Sequence, residues 1–174
     1  MADLTTRVRS TVRDVADFPK PGVLFKDITP ILADASLMTD ILDWMAAPYA
    51  NGGVDVVVGM ESRGFFFGPG LAQRLNCAFA PARKKGKLPH ATVSQDYVLE
   101  YGNNTLEMHV DSVPKGSRVL VVDDLLATGG TAHATVQLVQ KLGGDVIESV
   151  FLLELGFLNG RDVVGGSVRS LVTY

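Results

Sequence analysis

Two nearly continuous apolar runs constrain the fold of this chain more than any other feature. Residues 54–60 read VDVVVGM and residues 119–123 read VLVVD. A strand with one face in water alternates apolar and polar residues, whereas a continuous apolar run is typical of a parallel strand covered on both faces. Helical patterns alternate with such runs, as in TAHATVQLVQKLGG at residues 131–144. We therefore predict an α/β fold with a mostly parallel central sheet flanked by helices.

The chain before the first run is predicted to form an N-terminal hood. Apolar residues at helical spacing predict a helix over about residues 3–15. The prolines and glycine of FPKPGVLFKDITP, residues 18–30, predict an ordered loop. A second helix is predicted to begin at Asp34, an N-cap residue. We expect a single domain, with the hood at about residues 1–33 and the core at about 34–174.

The middle of the chain is predicted to carry a flap. Residues 84–95, KKGKLPHATVSQ, are basic and broken by glycine and proline, which predicts a mobile loop. The alternation in YVLEYG and TLEMHV, residues 97–102 and 105–110, predicts a β-ribbon. We expect the mobile segment as a whole to span about residues 84–106.

Charge and composition limit the partners of the protein. The chain has 174 residues, enough for one domain with a sizeable core, and a net charge of −3. That charge gives no global field to recruit nucleic acid or an acidic membrane, and no apolar run approaches the length of a membrane span. The single cysteine, Cys77, cannot form an intrachain disulfide and is predicted to be a buried structural thiol. We expect a cytoplasmic protein that binds neither nucleic acid nor membrane.

The second apolar run leads into two carboxylates and a loop of small residues, VLVVDDLLATGGT. Asp123 and Asp124 stand at the edge of a core, where an anion is costly unless a cation or hydroxyl groups meet it. The small residues let backbone N–H groups approach an anion, and the next helix offers its positive end. These residues are Ala127, Thr128, Gly129, Gly130 and Thr131. Sugar hydroxyls or a hydrated magnesium ion would satisfy the carboxylates, so the stretch predicts a sugar phosphate as ligand.

The stretch does not match two other motifs that bind phosphate groups. A P-loop requires a lysine after its last glycine, and none follows Gly130. The dinucleotide motif requires three glycines directly after a strand, and the pair Gly68 and Gly70 does not match it. A strand-to-helix turn with a capping threonine stays an alternative for ATGGT taken alone. Since neighbouring strand residues point to opposite faces, both aspartates reach one ligand only if the strand has ended or curled there.

The stretch VLVVDDLLATGGT resembles the ribose-phosphate-binding signature of the type I phosphoribosyltransferases. Four further segments resemble, in the same order, segments of the family members that act on adenine. They read FPKPGVLFKDITPIL, ESRGFFFGP, ARKKGKLP and YVLEYG. The resemblance implies the transfer of ribose 5-phosphate from phosphoribosyl pyrophosphate to adenine, giving AMP and pyrophosphate, with Mg²⁺ as cofactor.

The resemblance also implies roles for the residues that would bind phosphoribosyl pyrophosphate. Asp123 and Asp124 would hold the ribose hydroxyls, directly or through the metal, which has no fixed set of protein ligands. Residues 127–131 would cradle the 5′-phosphate. The residues implied for pyrophosphate are Glu61, Ser62, Arg63, Arg83, Lys84 and Lys87. Family members often have a non-proline cis peptide bond in the Glu61–Ser62 turn. The counterpart of Arg83 is associated with the site of the neighbouring subunit, so a homodimer is implied.

For the adenine side, the resemblance implies catalytic and binding residues in the flap and the hood. Glu100 would act at N7 of the base and Tyr101 would close over the reaction centre, with Arg63 as a third catalytic residue. The backbone of Leu24 and Lys26 would read the adenine edge, and Phe25 would form an apolar wall. From the residue pattern alone, Glu100 could simply occupy the polar face of a strand.

Two residues depart from the family pattern, and two other functions stay open. Arginine is more usual in the family at the position of Lys26, and glycine at the position of His90. The first alternative function is a regulator that binds phosphoribosyl pyrophosphate and controls nucleic acid. The second is a related transferase that acts on xanthine or orotate.

Overall fold

The computed structural model describes residues 3–99 and 102–174. The helices are α1 (Leu4–Thr11), α2 (Thr29–Leu32), α3 (Ala35–Ala46), α4 (Gly68–Leu75), α5 (Gly130–Leu142) and α6 (Gly160–Val164), with short 3₁₀ turns at Ala47–Tyr49, Arg63–Phe66 and Gly156–Leu158. The strands are β1 (Arg13–Ala16), β2 (Leu24–Asp27), β3 (Val56–Met60), β4 (Ala78–Lys84), β5 (Thr92–Leu99), β6 (Gly102–His109), β7 (Arg118–Leu126), β8 (Asp145–Glu154) and β9 (Val168–Thr173).

The central sheet confirms the predicted α/β fold. Its seven strands run in the order β5-β6-β4-β3-β7-β8-β9. The five strands from β4 to β9 in this order pair in parallel. The β5–β6 hairpin is antiparallel and joins the edge of β4. The strand order places β3 directly beside β7, so the two predicted apolar runs are neighbours.

Apolar side chains cover both faces of the sheet, as the continuous runs predicted. Successive residues of β3 enter different clusters: Val57 packs with α1, α3 and α4, whereas Val56 and Val58 pack on the side of α5. In β7, Leu120 and Val122 belong to the first cluster, and Val119 and Val121 belong to the second. The alternation of a strand therefore divides one apolar run between two cores.

The hood differs from its prediction, because residues expected in a helix and a loop form a small sheet. Helix α1 ends at Thr11, and Arg13–Ala16 pairs antiparallel with Leu24–Asp27. The Asp14 carboxylate lies 2.6 Å from the ammonium group of Lys26, directly across the two strands. The predicted helix to residue 15 was therefore wrong beyond residue 11. The predicted loop at 18–30 was wrong for β2 and for α2.

The basic segment is shorter than the predicted loop. Strand β4 continues to Lys84 and β5 begins at Thr92, so residues 92–95 are strand and that part of the loop prediction was wrong. They pair with the end of β6, and the ammonium group of Lys141 on α5 donates to the Ser94 carbonyl at 2.8 Å. The β-ribbon predicted for the flap is confirmed for the described residues 97–99 and 102–109, and its two strands are antiparallel. Its mobility stays a prediction.

Two expectations about the chain as a whole can be compared with the fold. Across the described residues, the helices are too short or too polar for any of them to cross a membrane. Cys77 is free and only half-buried, packed against the first apolar cluster, so the predicted buried thiol is less enclosed than expected.

Candidate active site

The parallel pairing of β3 and β7 brings two predicted groups of residues to one edge of the sheet. The register pairs Val58 with Val121 and Gly59 with Val122, so the segments after both strands emerge side by side. A cavity of about 300 Å³ opens there. Its lining includes eleven of the predicted site residues: Glu61, Ser62, Arg63, Lys84, Asp123, Asp124, Ala127, Thr128, Gly129, Gly130 and Thr131. Ligands of parallel α/β folds bind at this edge.

The loop between β7 and α5 presents an uncapped helix N-terminus to the cavity. Gly129 has a φ of 85°, a left-handed conformation that favours glycine, and no side chain caps the first turn of α5. The free N–H groups and the helix dipole would favour an anion. The alternative of a turn closed by a capping threonine is not what the structure has.

The loop 127–131 is also supported from behind by α6. A Cβ atom on Gly160 would lie 2.2 Å from the carbonyl oxygen of Ala127, and one on Gly129 would lie 2.4 Å from the carbonyl oxygen of Gly160. The two backbones are therefore in contact with no space for side chains. Gly160 was not predicted as a site residue, because a single glycine at the start of a short helix is a weak signal.

Both aspartates line the cavity although β7 has not ended there. The strand continues to Leu126, contrary to the condition derived from the sequence. Asp124 is 2% exposed, and the guanidinium Nε of Arg63 lies 3.0 Å from its Oδ2. That buried Oδ2 has no hydrogen-bond partner among the described residues. The backbone N–H of Asp124 donates to Oδ1 of Asp123 at 2.8 Å.

Burial makes the charged state of the two aspartates costly. Desolvation, and then the adjacent charge of Asp124, raise the pKa of Asp123 well above its ordinary value. Burial also raises the pKa of Asp124, although the nearby charge of Arg63 opposes this. A ligand that donates hydrogen bonds or brings positive charge would stabilise both carboxylates.

The Glu61–Ser62 turn holds the basic segment through the carboxylate of Glu61. The peptide bond between these residues is cis, as the resemblance predicted. Oε2 of Glu61 accepts hydrogen bonds from Nε of Arg83 at 3.2 Å and from the N–H of Lys84 at 3.0 Å. The ammonium group of Lys87 lies 3.7 Å from Oε1. Burial raises the pKa of Glu61, but these contacts outweigh it and lower the pKa below its ordinary value.

Not every predicted pyrophosphate residue lines the cavity. Lys84 does, whereas Arg83 and Lys87 do not. A guanidinium N–H of Arg83 donates to the Lys87 carbonyl at 3.1 Å, in addition to its contact with Glu61. Both cations are therefore outside the cavity lining, and both contact the carboxylate of Glu61, which belongs to it.

The predicted adenine residues lie in β2, outside the cavity lining. The guanidinium carbon of Arg63 lies 5.1 Å from the centroid of the Phe25 ring, which links the hood to the sheet edge. Leu24 is 52% exposed, whereas Lys26 is buried. Only Phe25 of the three is thus joined to the site by a side-chain contact.

The flap contributes cavity residues that the sequence analysis did not identify. Tyr97 and Asn104, direct partners across the β5–β6 hairpin, both line the cavity. Tyr97 is part of the alternating YVLEYG pattern, which could have drawn attention to it, but Asn104 gave no signal. Glu100 and Tyr101, the two predicted catalytic residues of the flap, lie outside the described residues.

The fold and the site define a class of enzyme that transfers phosphoribosyl groups. A family model described as the phosphoribosyl transferase domain matches residues 27–159. The chain is 53% identical to the adenine phosphoribosyltransferase of Myxococcus xanthus over 175 aligned positions, which cover all of this chain and 93% of the relative. With this full-length similarity, the chain belongs to the adenine phosphoribosyltransferase family, and the resemblance noted in the sequence is confirmed.

Solved structures agree with this assignment. The crystal structure of adenine phosphoribosyltransferase from Rhodothermus marinus matches with a TM-score of 0.93 at 43% identity, covering 98% of each chain. The Saccharomyces cerevisiae enzyme, solved with adenine and an imino-altritol bisphosphate, matches with a TM-score of 0.93 at 36% identity. It covers 98% of this chain and 99% of its own.

Proposed function

We propose that this protein transfers the ribose 5-phosphate group from phosphoribosyl pyrophosphate to adenine, releasing AMP and pyrophosphate in purine salvage. The observation that carries the proposal is the adjacency of two site halves in one cavity. The carboxylates of Asp123 and Asp124 in β7 line the same cavity as the uncapped N-terminus of α5. The first half suits sugar hydroxyls and the second suits a phosphate monoester.

The 5′-phosphate is assigned to the loop and the ribose to the aspartates. Backbone N–H groups of residues 127–131 and the hydroxyls of Thr128 and Thr131 would bind the phosphate. Asp123 and Asp124 would accept hydrogen bonds from the ribose hydroxyls. Oδ2 of Asp124 forms an ion pair with Arg63 but accepts no hydrogen bond in the described chain, so a hydroxyl donor would supply the hydrogen bond that this buried oxygen lacks.

Pyrophosphate is assigned to the cations beside the sugar. Arg63 and Lys84 line the cavity with Ser62 and would stabilise the negative charge that develops as the C1′–O bond breaks. Arg83 and Lys87 would take part only after leaving Glu61, since that carboxylate now holds both. Glu61 would therefore act by positioning these cations.

Mg²⁺ fits this site as a hydrated ion and not as a structural centre. No group of three or more His, Cys, Asp or Glu side chains suited to holding a metal occurs within residues 3–99 and 102–174. Asp123 and Asp124 could receive two of the water molecules of such an ion. When bound, Mg²⁺ would neutralise charge on the departing pyrophosphate.

The base is assigned to the hood and the flap. Phe25 would form an apolar wall, and the backbone of Leu24 and Lys26 would read the edge of adenine. The lone pair of N9 of adenine forms the new bond to C1′ as the bond to pyrophosphate breaks, and the proton that the base carries at N7 would pass to the carboxylate of Glu100. Glu100 would share a proton at N7, and Tyr101 would help to exclude water, which would otherwise capture the sugar cation.

Assembly and cell compartment also form part of the proposal. A homodimer would place Arg83 near the site of the neighbouring subunit. The protein would act in the cytoplasm on small molecules, without nucleic acid or membrane as a partner.

AMP formation measured against a panel of bases tests the function. We expect turnover only when adenine, phosphoribosyl pyrophosphate and Mg²⁺ are all present. Hypoxanthine, guanine, xanthine and orotate serve as competing substrates at equal concentration. Turnover of any of these at the rate of adenine would refute the assignment of the base, and turnover after complete removal of Mg²⁺ with chelator would refute the cofactor.

A further inference from the structure

Strand β2 presents its two faces to different parts of the molecule. Neighbouring strand residues point to opposite faces, so Phe25 and Lys26 project in opposite directions. The Phe25 ring lies under the guanidinium group of Arg63, which in turn pairs with Asp124 at the cavity. The face that carries Phe25 is therefore the one joined to the active site, and the Lys26 side chain lies on the other face.

The side chain of Lys26 is fully engaged on its own face. It is 8% exposed, and its ammonium group lies 2.6 Å from Oδ1 of Asp14. The same ammonium group lies 4.0 Å from the centroid of the Tyr174 ring. A buried ammonium is costly unless it is paired, and here a carboxylate and an aromatic face supply the partners.

The backbone of Tyr174 is hydrogen-bonded at the edge of the central sheet. Its backbone N–H donates to the Glu154 carbonyl at 2.9 Å, and its carbonyl accepts from the N–H of Gly156 at 3.0 Å. The guanidinium carbon of Arg9 lies 4.8 Å from the ring centroid, and Arg9 also donates to the Thr173 carbonyl at 2.8 Å. Tyr174 is thus a fixed platform at the carboxyl end of β8.

We propose that Lys26 is a positioning residue that fastens the hood to the sheet through Tyr174 and Asp14. Its side chain holds β2 in the position in which Phe25 contacts Arg63 at the site. Its ammonium group does not contact the base. A planar aromatic base would then be recognised by the Phe25 ring and the β2 backbone alone. This inference rests on the proposed function, in which the hood forms the base site.

Kinetics of Tyr174 variants test the fastening without touching any residue assigned to substrate. Tyr174→Leu removes the aromatic face, and we expect the KM for adenine to rise about three- to tenfold, in line with the loss of one cation–π contact. The kcat should stay within about twofold. The KM for phosphoribosyl pyrophosphate should rise by a smaller factor than the KM for adenine, because the described link between the hood and the sugar site is the contact of Arg63 with Phe25. Tyr174→Phe keeps the ring and is the matched control. An unchanged KM for adenine in a folded Tyr174→Leu enzyme would overturn the proposal.

Variants of Lys26 separate positioning from direct contact with the base. Lys26→Arg keeps a cation that can pair with Asp14 and stack on Tyr174, so it should raise the adenine KM by a smaller factor than Lys26→Met does. Lys26→Met should raise that KM as Tyr174→Leu does, and the double variant should cost less than the product of the two single effects. The shared contact would be refuted if the double variant raised the adenine KM by the full product of the two single effects. It would also be refuted if Lys26→Arg were as impaired as Lys26→Met.

Hydrogen exchange gives a readout that does not depend on adenine. In Tyr174→Leu, amides of residues 13–27 should exchange faster while those of β7 stay unchanged. Loss of protection in both regions, or in neither, contradicts a local fastening. If the original enzyme uses no adenine but the exchange result holds, the proposed function fails and the fastening stands.

Discussion

The contact between Gly160 and the phosphate loop yields a sharp prediction. Gly160→Ala adds one methyl group at a residue whose backbone is not in the left-handed region, so the change introduces no conformational strain of its own. The new Cβ would lie 2.2 Å from the carbonyl oxygen of Ala127 and 3.0 Å from Cδ1 of Leu126. The side chain of Leu126 can rotate away, but the Ala127 carbonyl is backbone and must move with the loop.

The size of the effect follows from the displacement. Since an ordinary contact of this kind is at least 3.4 Å, the carbonyl has to retreat by about 1 Å. A misplacement of about 1 Å in a positioning group can cost about 10²-fold in rate. We therefore expect kcat/KM for phosphoribosyl pyrophosphate to fall by about 10²-fold. The KM for adenine should change by less than about threefold, because Val164 of α6 packs in one apolar cluster and the hood residues Val8 and Ile28 pack in the other.

Steady-state kinetics with each substrate varied in turn measure this effect. Gly70→Ala is the matched control: it lies in α4, outside the left-handed region, and its Cβ would meet only the tip of the Leu42 side chain, at 2.9 Å. The control should keep its activity and, as a helix glycine replaced by alanine, should be no less stable. A Gly160→Ala enzyme with kcat/KM for phosphoribosyl pyrophosphate within threefold of the original would refute the supporting role of α6.

Three further predictions concern charge and titration. Asp124→Asn removes the carboxylate beside Arg63 and should lower kcat/KM for phosphoribosyl pyrophosphate by about 10- to 100-fold, measured by initial rates; an unchanged value would exclude a sugar contact. Arg161 hydrogen-bonds Glu154 and thereby lowers the pKa of this carboxyl. Arg161→Met should therefore destabilise the fold by about 2 kcal/mol in urea unfolding at neutral pH. A carboxyl whose pKa is lower in the folded than in the unfolded protein stabilises the fold at pH values above the unfolded pKa, and this stabilisation is lost as the pH falls. The difference in unfolding free energy between the two proteins should therefore shrink below about pH 4.3. A difference independent of pH would contradict the pairing. Burial raises the pKa of Cys77, so alkylation by iodoacetamide at pH 8 should be at least about tenfold slower than in the unfolded chain, and equal rates would contradict the burial.

The sequence predicted those parts of the fold whose signal is local and unambiguous. The runs that became β3 and β7 are apolar on both faces, and only a covered parallel sheet accommodates such strands. The hood was mispredicted because Val8, Val12 and Val15 follow helical spacing, while the structure is decided by pairing with a distant segment. The complementary charges of Asp14 and Lys26 lie twelve residues apart, and only the paired strands reveal that they meet.

The site divides in the same way between local and distant contributions. Asp123, Asp124 and residues 127–131 all lie within the short stretch DDLLATGGT, so one stretch of sequence contains the chemistry of the sugar and phosphate site. Tyr97 and Asn104 reach the same cavity through the fold of the flap, and no property of either residue alone marks it as a site residue. The order of strands decides which distant segments share an edge of the sheet. No local pattern in the sequence predicted this order.

Arg63 explains how the two halves of the site come to depend on each other. Its guanidinium group contacts the Phe25 ring on one side, and its Nε lies 3.0 Å from the buried carboxylate of Asp124 on the other. Moving the hood would uncover this guanidinium group, and water would then screen its attraction for Asp124. A buried carboxylate such as that of Asp124 costs more free energy when the attraction of its paired cation is weakened. The position of β2 therefore affects the electrostatic environment of the sugar site. Through Arg63, the contacts that link Tyr174, Lys26 and Phe25 influence the binding of both substrates.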